Sequence, residues 1–543
     1  MSESLLHDYE GFCRRAVEAM AASAGEVEIP DPKARWHRGG AHACRAAVER
    51  LAIACFDPDS PRRGDEALWR RLVQAADALA AFQHEDGFID LSQSNLHSPP
   101  DTAFLVEDLV PLCEVLRAAA EPSDRLGELL GRIERVIVPA CDGIARGGVH
   151  TPNHRWKAAS ALLLADRLWP HESWRAEAQR YLDEGIDIDA DGEFSERSTG
   201  CYNYVCDLAL ILIGRALGRD EYIDYADRNL EHMLWLLHPD GTLVTDYSRR
   251  QDRDQAVGVE HYLLLYWYRA LMRGDGRFLA AAELGLKRMG GGGRRLGRLA
   301  KWLRYFREAG ERPVPAPEPL PAEYEKRFDG VGVLRRRAGT QSLTLMAGSA
   351  DVLAMCFGSG PELGVRIAAG FAPRGQFLAE GIDGAGGRYS LRSHHRCEYF
   401  GPGPDRLPGV DWRGRDGFKR RVFVSAELTM SLEVACEADA LSLRLRTEGC
   451  PRVPIEVALL IRLAEAIEPA GEVEPDETTG KTFLNSGELV VRGRDHVLRV
   501  GPGSAEHDLT QISCGEAIRR PDVYCIRLVT PVDATLTVRA EQV

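Results

Sequence analysis

The sequence predicts an incomplete (α/α) toroid followed by an antiparallel β-sandwich. Three observations predict it. Apolar residues recur at the helical period through roughly the first 310 positions. Within that stretch an Asp-Gly turn returns three times after a helix. A proline-rich segment follows, and beyond it the apolar period changes to two.

The helical part is legible in stripes such as Val48, Leu51, Ala52 and Cys55, or Tyr204, Leu208, Ile211 and Leu212, or Leu230, Met233, Leu234 and Leu237. The turns are His84-Glu85-Asp86-Gly87, Ala190-Asp191-Gly192-Glu193 and Pro239-Asp240-Gly241-Thr242. Asp-Gly supplies the positive φ of a tight turn, and helix pairs with recurring turns suggest a toroid or solenoid with a polar rim. Gly290 to Gly293 interrupt the helices before a last basic helix. Five prolines between Pro313 and Pro321 then form a stiff, extended linker. Strands are expected at Val331–Leu334, Ser342–Met346, Leu441–Leu445, Ile455–Ile461, Val490–Arg492, Val497–Val500 and Thr535–Arg539. The expected domains are 1–312 for the toroid, 313–324 for the linker and 325–543 for the sandwich.

A chain of 543 residues, 44% hydrophobic, exceeds one ordinary core. The net charge of -14 argues against nucleic acid as a partner, while a local basic pocket could still hold an anionic substrate. Thirteen cysteines at irregular spacing fit a reducing compartment. Met1 to Glu10 has no apolar signal region and no run reaches membrane-spanning length, so a cytoplasmic protein without membrane partners is expected. A homo-oligomer is compatible with all of this. No compact His, Cys and Asp set is visible, so neither metal nor cofactor is expected.

Thr151-Pro152 is a helix start, with Thr as cap and Pro at the first helical position. It puts Asn153 and His154 in the first turn, where unpaired N–H groups and the positive dipole end would meet a substrate carboxylate. Ser198 or Thr199 caps a second helix. Tyr202 lies off that helix's apolar stripe and is the candidate cleft phenol; Tyr204 lies on it with Leu208 and reads as core. Glu193 and Glu196 are the couple a hydrolase would use. His97 opens another helix that could line the same mouth. In the sandwich, Tyr389 to Pro404 holds His394, His395, Arg396 and Tyr399; adjacent histidines on a strand face opposite ways. His394 with Cys397 is a weak metal pairing.

These segments, Thr151-Pro152-Asn153-His154-Arg155-Trp156, Asp191-Gly192 through Tyr202-Asn203, His238-Pro239-Asp240-Gly241 through Ser248-Arg249-Arg250-Gln251-Asp252, and Ser98-Pro99-Pro100-Asp101-Thr102-Ala103-Phe104, resemble the heparinase II/III-like polysaccharide lyases. The resemblance implies β-elimination at a uronic acid, with no redox cofactor and an anionic glycan as partner. By position, Asn153 and His154 match the family's Asn-His pair and Tyr202 its toroid tyrosine. His394 or His395 stands in for a sandwich histidine by location alone. Candidate substrate contacts are His97, Arg155, Glu196, Arg197, Tyr204, Arg249, Arg250 and Tyr399. Many members carry Tyr-x-x-Tyr where this chain has Tyr202-Asn203-Tyr204. The expected chemistry has Asn153 stabilising charge on the uronate carboxylate, His154 sharing that task or removing the C5 proton, and Tyr202 donating to the leaving oxygen. A toroidal glycoside or uronyl hydrolase, a uronate epimerase and a non-catalytic glycan-binding protein are the alternatives.

Overall fold

The structure is a computed structural model that describes residues 3–33, 39–119, 121–149, 151–290, 293–371, 375–401, 422–512 and 522–543. Gly291, Gly292 and the Pro402-Gly403-Pro404 end of the histidine-rich stretch lie outside these residues. Two compact units divide the chain: Met1–Leu237 with Gly241–Leu320, and His238–Asp240 with Pro321–Val543.

The first unit runs α1 (Tyr9–Ala22), α2 (Gly40–Phe56), α3 (Glu66–Phe82), a hairpin of β1 (Ile89–Leu91) and β2 (Asn95–Ser98), α4 (Pro99–Ala119), α5 (Asp124–Ile144), α6 (Pro152–Leu168), α7 (Glu172–Asp183), α8 (Tyr202–Leu217), α9 (Asp220–Leu234), α10 (Leu263–Arg273), α11 (Gly276–Met289), α12 (Gly293–Gly297) and α13 (Ala300–Tyr305). Helices α2, α4, α6 and α8 touch in succession, and α3, α5, α7 and α9 each pack on the helix before. Composition decides which helices are inner. Trp156 to Ala165 of α6 and Cys206 to Gly214 of α8 are buried at every position. In α3 only the stripe of Leu68, Leu72, Ala75, Ala76, Ala78 and Leu79 is buried. A helix apolar all round belongs inside, and a striped one belongs on the outer ring. Each outer helix reverses the chain, so the inner helices share one direction and their first turns gather at one rim.

The three Asp-Gly turns have equivalent surroundings. Gly87, Gly192 and Gly241 have φ of 89°, 92° and 82°. A Cβ on Gly87 would lie 1.9 Å from the Pro139 carbonyl oxygen of α5; on Gly192, 2.6 Å from the Arg228 carbonyl oxygen of α9; on Gly241, 2.8 Å from Leu284 Cδ2 of α11. Each turn therefore presses on the outer helix that follows it. Side-chain amides tie two of them down: Gln83 donates to the Gly87 and Val136 carbonyls at 2.8 and 2.9 Å, and Asn229 to the Gly192 carbonyl at 2.7 Å. The proline-rich segment lies against the start of α11, where the Glu318 N–H donates to the Gly276 carbonyl at 3.0 Å.

The second unit is a sandwich of a nine-stranded and an eight-stranded sheet. The first centres on Gln341–Met346, Asp351–Phe357, Glu362–Ala369 and Pro454–Arg462; the second on Arg388–Phe400, Val422–Cys436, Ala440–Gly449 and Asp533–Gln542. Leu343, Leu353, Val365 and Ile455 from one sheet meet Leu391, Met430, Leu443 and Val538 from the other in a continuous core. These strands pair antiparallel, while Lys481–Leu484 joins Val523–Val529 in parallel. Every cysteine among the described residues is a free thiol. Among these residues no helix is long and apolar enough to cross a membrane.

Candidate functional site

Helix α6 starts as its sequence dictates, with extended backbone at Thr151 (φ -130°, ψ 155°) and Pro152 in the first turn. The Thr151 hydroxyl, however, makes no cap bond. It accepts instead from Asn153 Nδ2 at 3.2 Å. The cap is Glu196, whose Oε1 accepts the Asn153 backbone N–H at 3.0 Å and Asn153 Nδ2 at 2.6 Å. Glu196 Oε2 lies 3.6 Å from Arg250 Nε. The Arg250 guanidinium sits 4.7 Å from the centre of the Tyr202 ring, and Gln251 Nε2 donates to the Tyr202 phenol oxygen at 2.6 Å. One chain of contacts thus joins Asn153, Glu196, Arg250, Tyr202 and Gln251 across the first turns of α6 and α8.

Asp252 fixes the loops that make this possible. It is buried and accepts from the Ser198 and Ser248 hydroxyls at 2.7 and 2.8 Å and from the Gly200 N–H at 2.8 Å. Ser198 Oγ also accepts the Tyr202 N–H at 3.0 Å, which starts α8, while the Thr199 hydroxyl turns away to the Val244 carbonyl. Arg250 and Gln251 are thereby held beside Tyr202.

The structure corrects two expectations. Asn153 is wholly buried, and both Nδ2 protons are engaged, so a direct bond from its amide to a substrate carboxylate is closed in this conformation. Nor do Glu193 and Glu196 form a hydrolytic couple. Glu193 is buried and accepts from Asn203 Nδ2 at 2.8 Å, from His232 Nε2 at 3.1 Å and from the Tyr247 hydroxyl. Burial pushes its carboxyl up, but the His232 contact and the two neutral donors outweigh burial and hold it below its ordinary value. An ionised, fully bonded carboxylate ties α8 to α9 and has no proton to give. Glu196 is occupied by the α6 end.

The remaining candidates fall into place around this chain or away from it. His154 is half-buried in the first turn of α6. Arg155 packs 4.6 Å from the Trp156 ring centre and pairs with Glu184, with Asp187 at 3.8 Å. Arg197, at φ 49°, accepts through its carbonyl from the Arg249 N–H at 3.2 Å. Burial and the Arg249 charge both lower the pKa of the Arg197 guanidinium. Tyr204 is half-buried, 4.6 Å from the His261 ring and edge-on to Tyr262 at 5.7 Å; burial pushes its phenol up. His97 lies on β2, its Nδ1 2.6 Å from Asp86 Oδ2.

In the second unit, His394 is exposed with Nδ1 3.0 Å from Thr429 Oγ1, and His395 is half-buried with Nε2 2.9 Å from Ser393 Oγ. Burial, then the neighbouring His394, lowers the His395 pKa. Tyr399 is exposed. Cys397 points into the core while His394 points out, so their metal pairing does not form. A different set does come together, unforeseen in the sequence: His84, Asp90 and His97 offer three ligand atoms within 4.8 Å of one another. Gln251 and Asp252 were also missed as site builders; their only signal was membership of the Ser248–Asp252 segment.

No family model and no curated protein matches the chain. Solved structures match in fold. The chondroitin AC lyase of Streptomyces coelicolor A3, in complex with chondroitin sulphate, aligns at TM-score 0.51 and 13% identity over 97% of this chain and 79% of that one. A Paenibacillus xanthan lyase aligns at TM-score 0.53 and 11% identity over 97% of this chain, which spans 56% of that enzyme. A chondroitinase AC lyase studied in oligosaccharide complexes aligns at TM-score 0.50 and 9% identity over 98% and 83%. The chain therefore has the helical-toroid and β-sandwich fold of polysaccharide lyases.

Proposed function

We propose that this protein is a polysaccharide lyase that cleaves a uronate-bearing glycan by β-elimination, and that it is a divergent member of the heparinase II/III-like group. The observation that carries the reading is the contact chain from Asn153 through Glu196 and Arg250 to Tyr202. In it the Arg250 cation lies over the Tyr202 phenol, and the His154 imidazole follows Asn153 in the first turn of α6, which supports the reading. The sequence motifs around these residues support the family assignment.

Removing C5–H from a uronate builds a second charge on a carboxylate that is already negative. Arg249 and Arg250 bind that carboxylate and offset the charge. The Arg197 carbonyl accepts the Arg249 N–H at 3.2 Å, which holds the two residues together. His154 takes the C5 proton. Gln251 already donates to the Tyr202 oxygen, which leaves the phenol O–H to donate to the departing glycosidic oxygen. The C5–H and C4–O bonds break, the C4=C5 double bond forms, and the product carries an unsaturated uronyl end. Asn153 acts from beneath as a positioning residue, holding Glu196 and through it Arg250.

The test is a screen of uronate oligosaccharides read by ultraviolet absorbance of the enoyl-uronate. Turnover should fall roughly a hundred- to ten-thousand-fold in Tyr202→Phe, which removes only the hydroxyl. Tyr204→Phe should retain most of it. Absence of an absorbing product from every uronate tested overturns the lyase reading; full activity in Tyr202→Phe overturns the assignment of the acid.

A further inference from the structure

We infer that the β1–β2 hairpin carries a binding site for a divalent transition metal of the zinc type, with His84, Asp90 and His97 as ligands. Three facts converge. The His84 and His97 rings stack at 3.9 Å between centres and 17° between planes. A single oxygen, Asp90 Oδ1, lies 2.9 Å from His84 Nε2 and accepts the His97 backbone N–H at 2.7 Å. The three ligand atoms all fall within 4.8 Å of one another.

Two nitrogens and a carboxylate oxygen select a borderline metal such as zinc over calcium or magnesium, which take oxygen ligands. Zinc bonds of about 2.0–2.2 Å place tetrahedral ligand atoms roughly 3.4 Å apart, so the three atoms must draw together and one stacked ring must turn until both nitrogen lone pairs meet the ion.

The outer partner is in place as well. Asp86 Oδ2 holds His97 Nδ1 at 2.6 Å, which fixes the ring and leaves Nε2 without a hydrogen bond among the described residues. Asp86 Oδ1 in turn accepts the Phe88 N–H at 3.1 Å. A carboxylate behind a ligating histidine orients the ring and raises its basicity. His97 is itself held at φ 46°, a left-handed conformation uncommon for a non-glycine residue. The Asp-Gly turn supplies His84 and Asp86, the first hairpin strand Asp90 and the second His97. A bound ion would clip the turn to the strand that leads into α4. The fourth position stays open to water, because Asp86 is occupied by His97.

The experiment titrates the full-length, chelator-stripped protein with zinc against a chromophoric competitor, and in parallel records the visible spectrum with cobalt. Stoichiometric binding in the micromolar range or tighter is expected, with a cobalt spectrum of four-coordinate nitrogen and oxygen ligation. His84→Ala and His97→Ala should each abolish it. Asp86→Asn should weaken it about ten- to a hundredfold. His171→Ala, an exposed histidine elsewhere, should leave it unchanged. Binding weaker than micromolar in the wild type, an octahedral cobalt spectrum, or zinc affinity unchanged in the His84→Ala/His97→Ala double variant overturns the site. The wild-type spectrum decides the matter even if a variant fails to fold.

Discussion

Thr151 has the backbone of a helix cap, yet the bond that caps α6 comes from Glu196, in the loop before α8. Sequence spacing gives the start of this helix correctly, because Thr-Pro is a local signal. It cannot give the carboxylate that arrives from 43 residues away. The same limit hides Asn153's burial, since a residue in a first turn reads as exposed until the neighbouring loop is placed over it. Removing Glu196 leaves the Asn153 N–H and one amide proton without acceptors in a buried site. Glu196→Ala should therefore cost about 1–3 kcal/mol, the range for an unsatisfied buried donor. Glu196→Gln retains one acceptor oxygen and should cost less. Chemical denaturation of the three proteins measures the difference, and equal stability of Glu196→Ala and wild type would remove Glu196 from its place as the cap.

At the scale of elements, the repeat read from three Asp-Gly pairs is a repeat of packing as well as of sequence. Gly87, Gly192 and Gly241 all need positive φ, and all lie so close to the following outer helix that no Cβ fits without movement. At Gly192, as at Gly87, the obstacle is backbone: the Arg228 carbonyl at 2.6 Å and the Pro139 carbonyl at 1.9 Å. Gly64 has φ 74° with open space around it. Gly64→Ala should thus show only the conformational cost, on the order of 1 kcal/mol, and Gly192→Ala that cost plus the displacement of α9. Thermal unfolding under identical conditions compares them; a Gly192→Ala protein no less stable than Gly64→Ala would mean that the turn does not bear on α9. Strands were legible where one face is wet, and also in two short apolar runs buried at every position, Ser342–Met346 and Ile455–Ile461. Arg388–Phe400 alternates, and its pattern separates Cys397 from His394. Asp351–Phe357 and Glu362–Ala369 are buried at every position, so period two has nothing to register there. The metal-type set was illegible for a related reason: a hairpin and a turn, neither with a ligand spacing of its own, bring His84 and His97 face to face.

Across the whole molecule, the order of a helical unit and a stranded unit followed from the change of period, but one short excursion did not. His238–Asp240, inside the helical part of the sequence, belongs to the second unit. There His238 is buried, with Nδ1 3.0 Å from Ser342 Oγ and 3.2 Å from Cys356 Sγ. Arg335 donates to the same Ser342 oxygen at 2.9 Å. Burial, followed by the charges of Arg335, Arg462 and Arg337, holds the His238 pKa well below its ordinary value. The sign of the consequence follows from linkage. The unfolded chain binds a proton on this histidine near pH 6.5 and the folded chain does not, so the contribution is complete above about pH 6.5 and is lost as pH falls toward the folded pKa. Within that window the loss approaches about 1.4 kcal/mol per pH unit for one proton. His261 and His395 are depressed in the same direction, so the wild-type slope alone does not isolate His238. The difference between wild type and His238→Gln does. Stability measured by denaturant from pH 7.5 to 5.5 should show the wild type losing ground to the variant below about pH 6.5, with the gap constant above it. A gap that stays constant across the whole range would mean that His238 takes up its proton in the folded protein as readily as in the unfolded one.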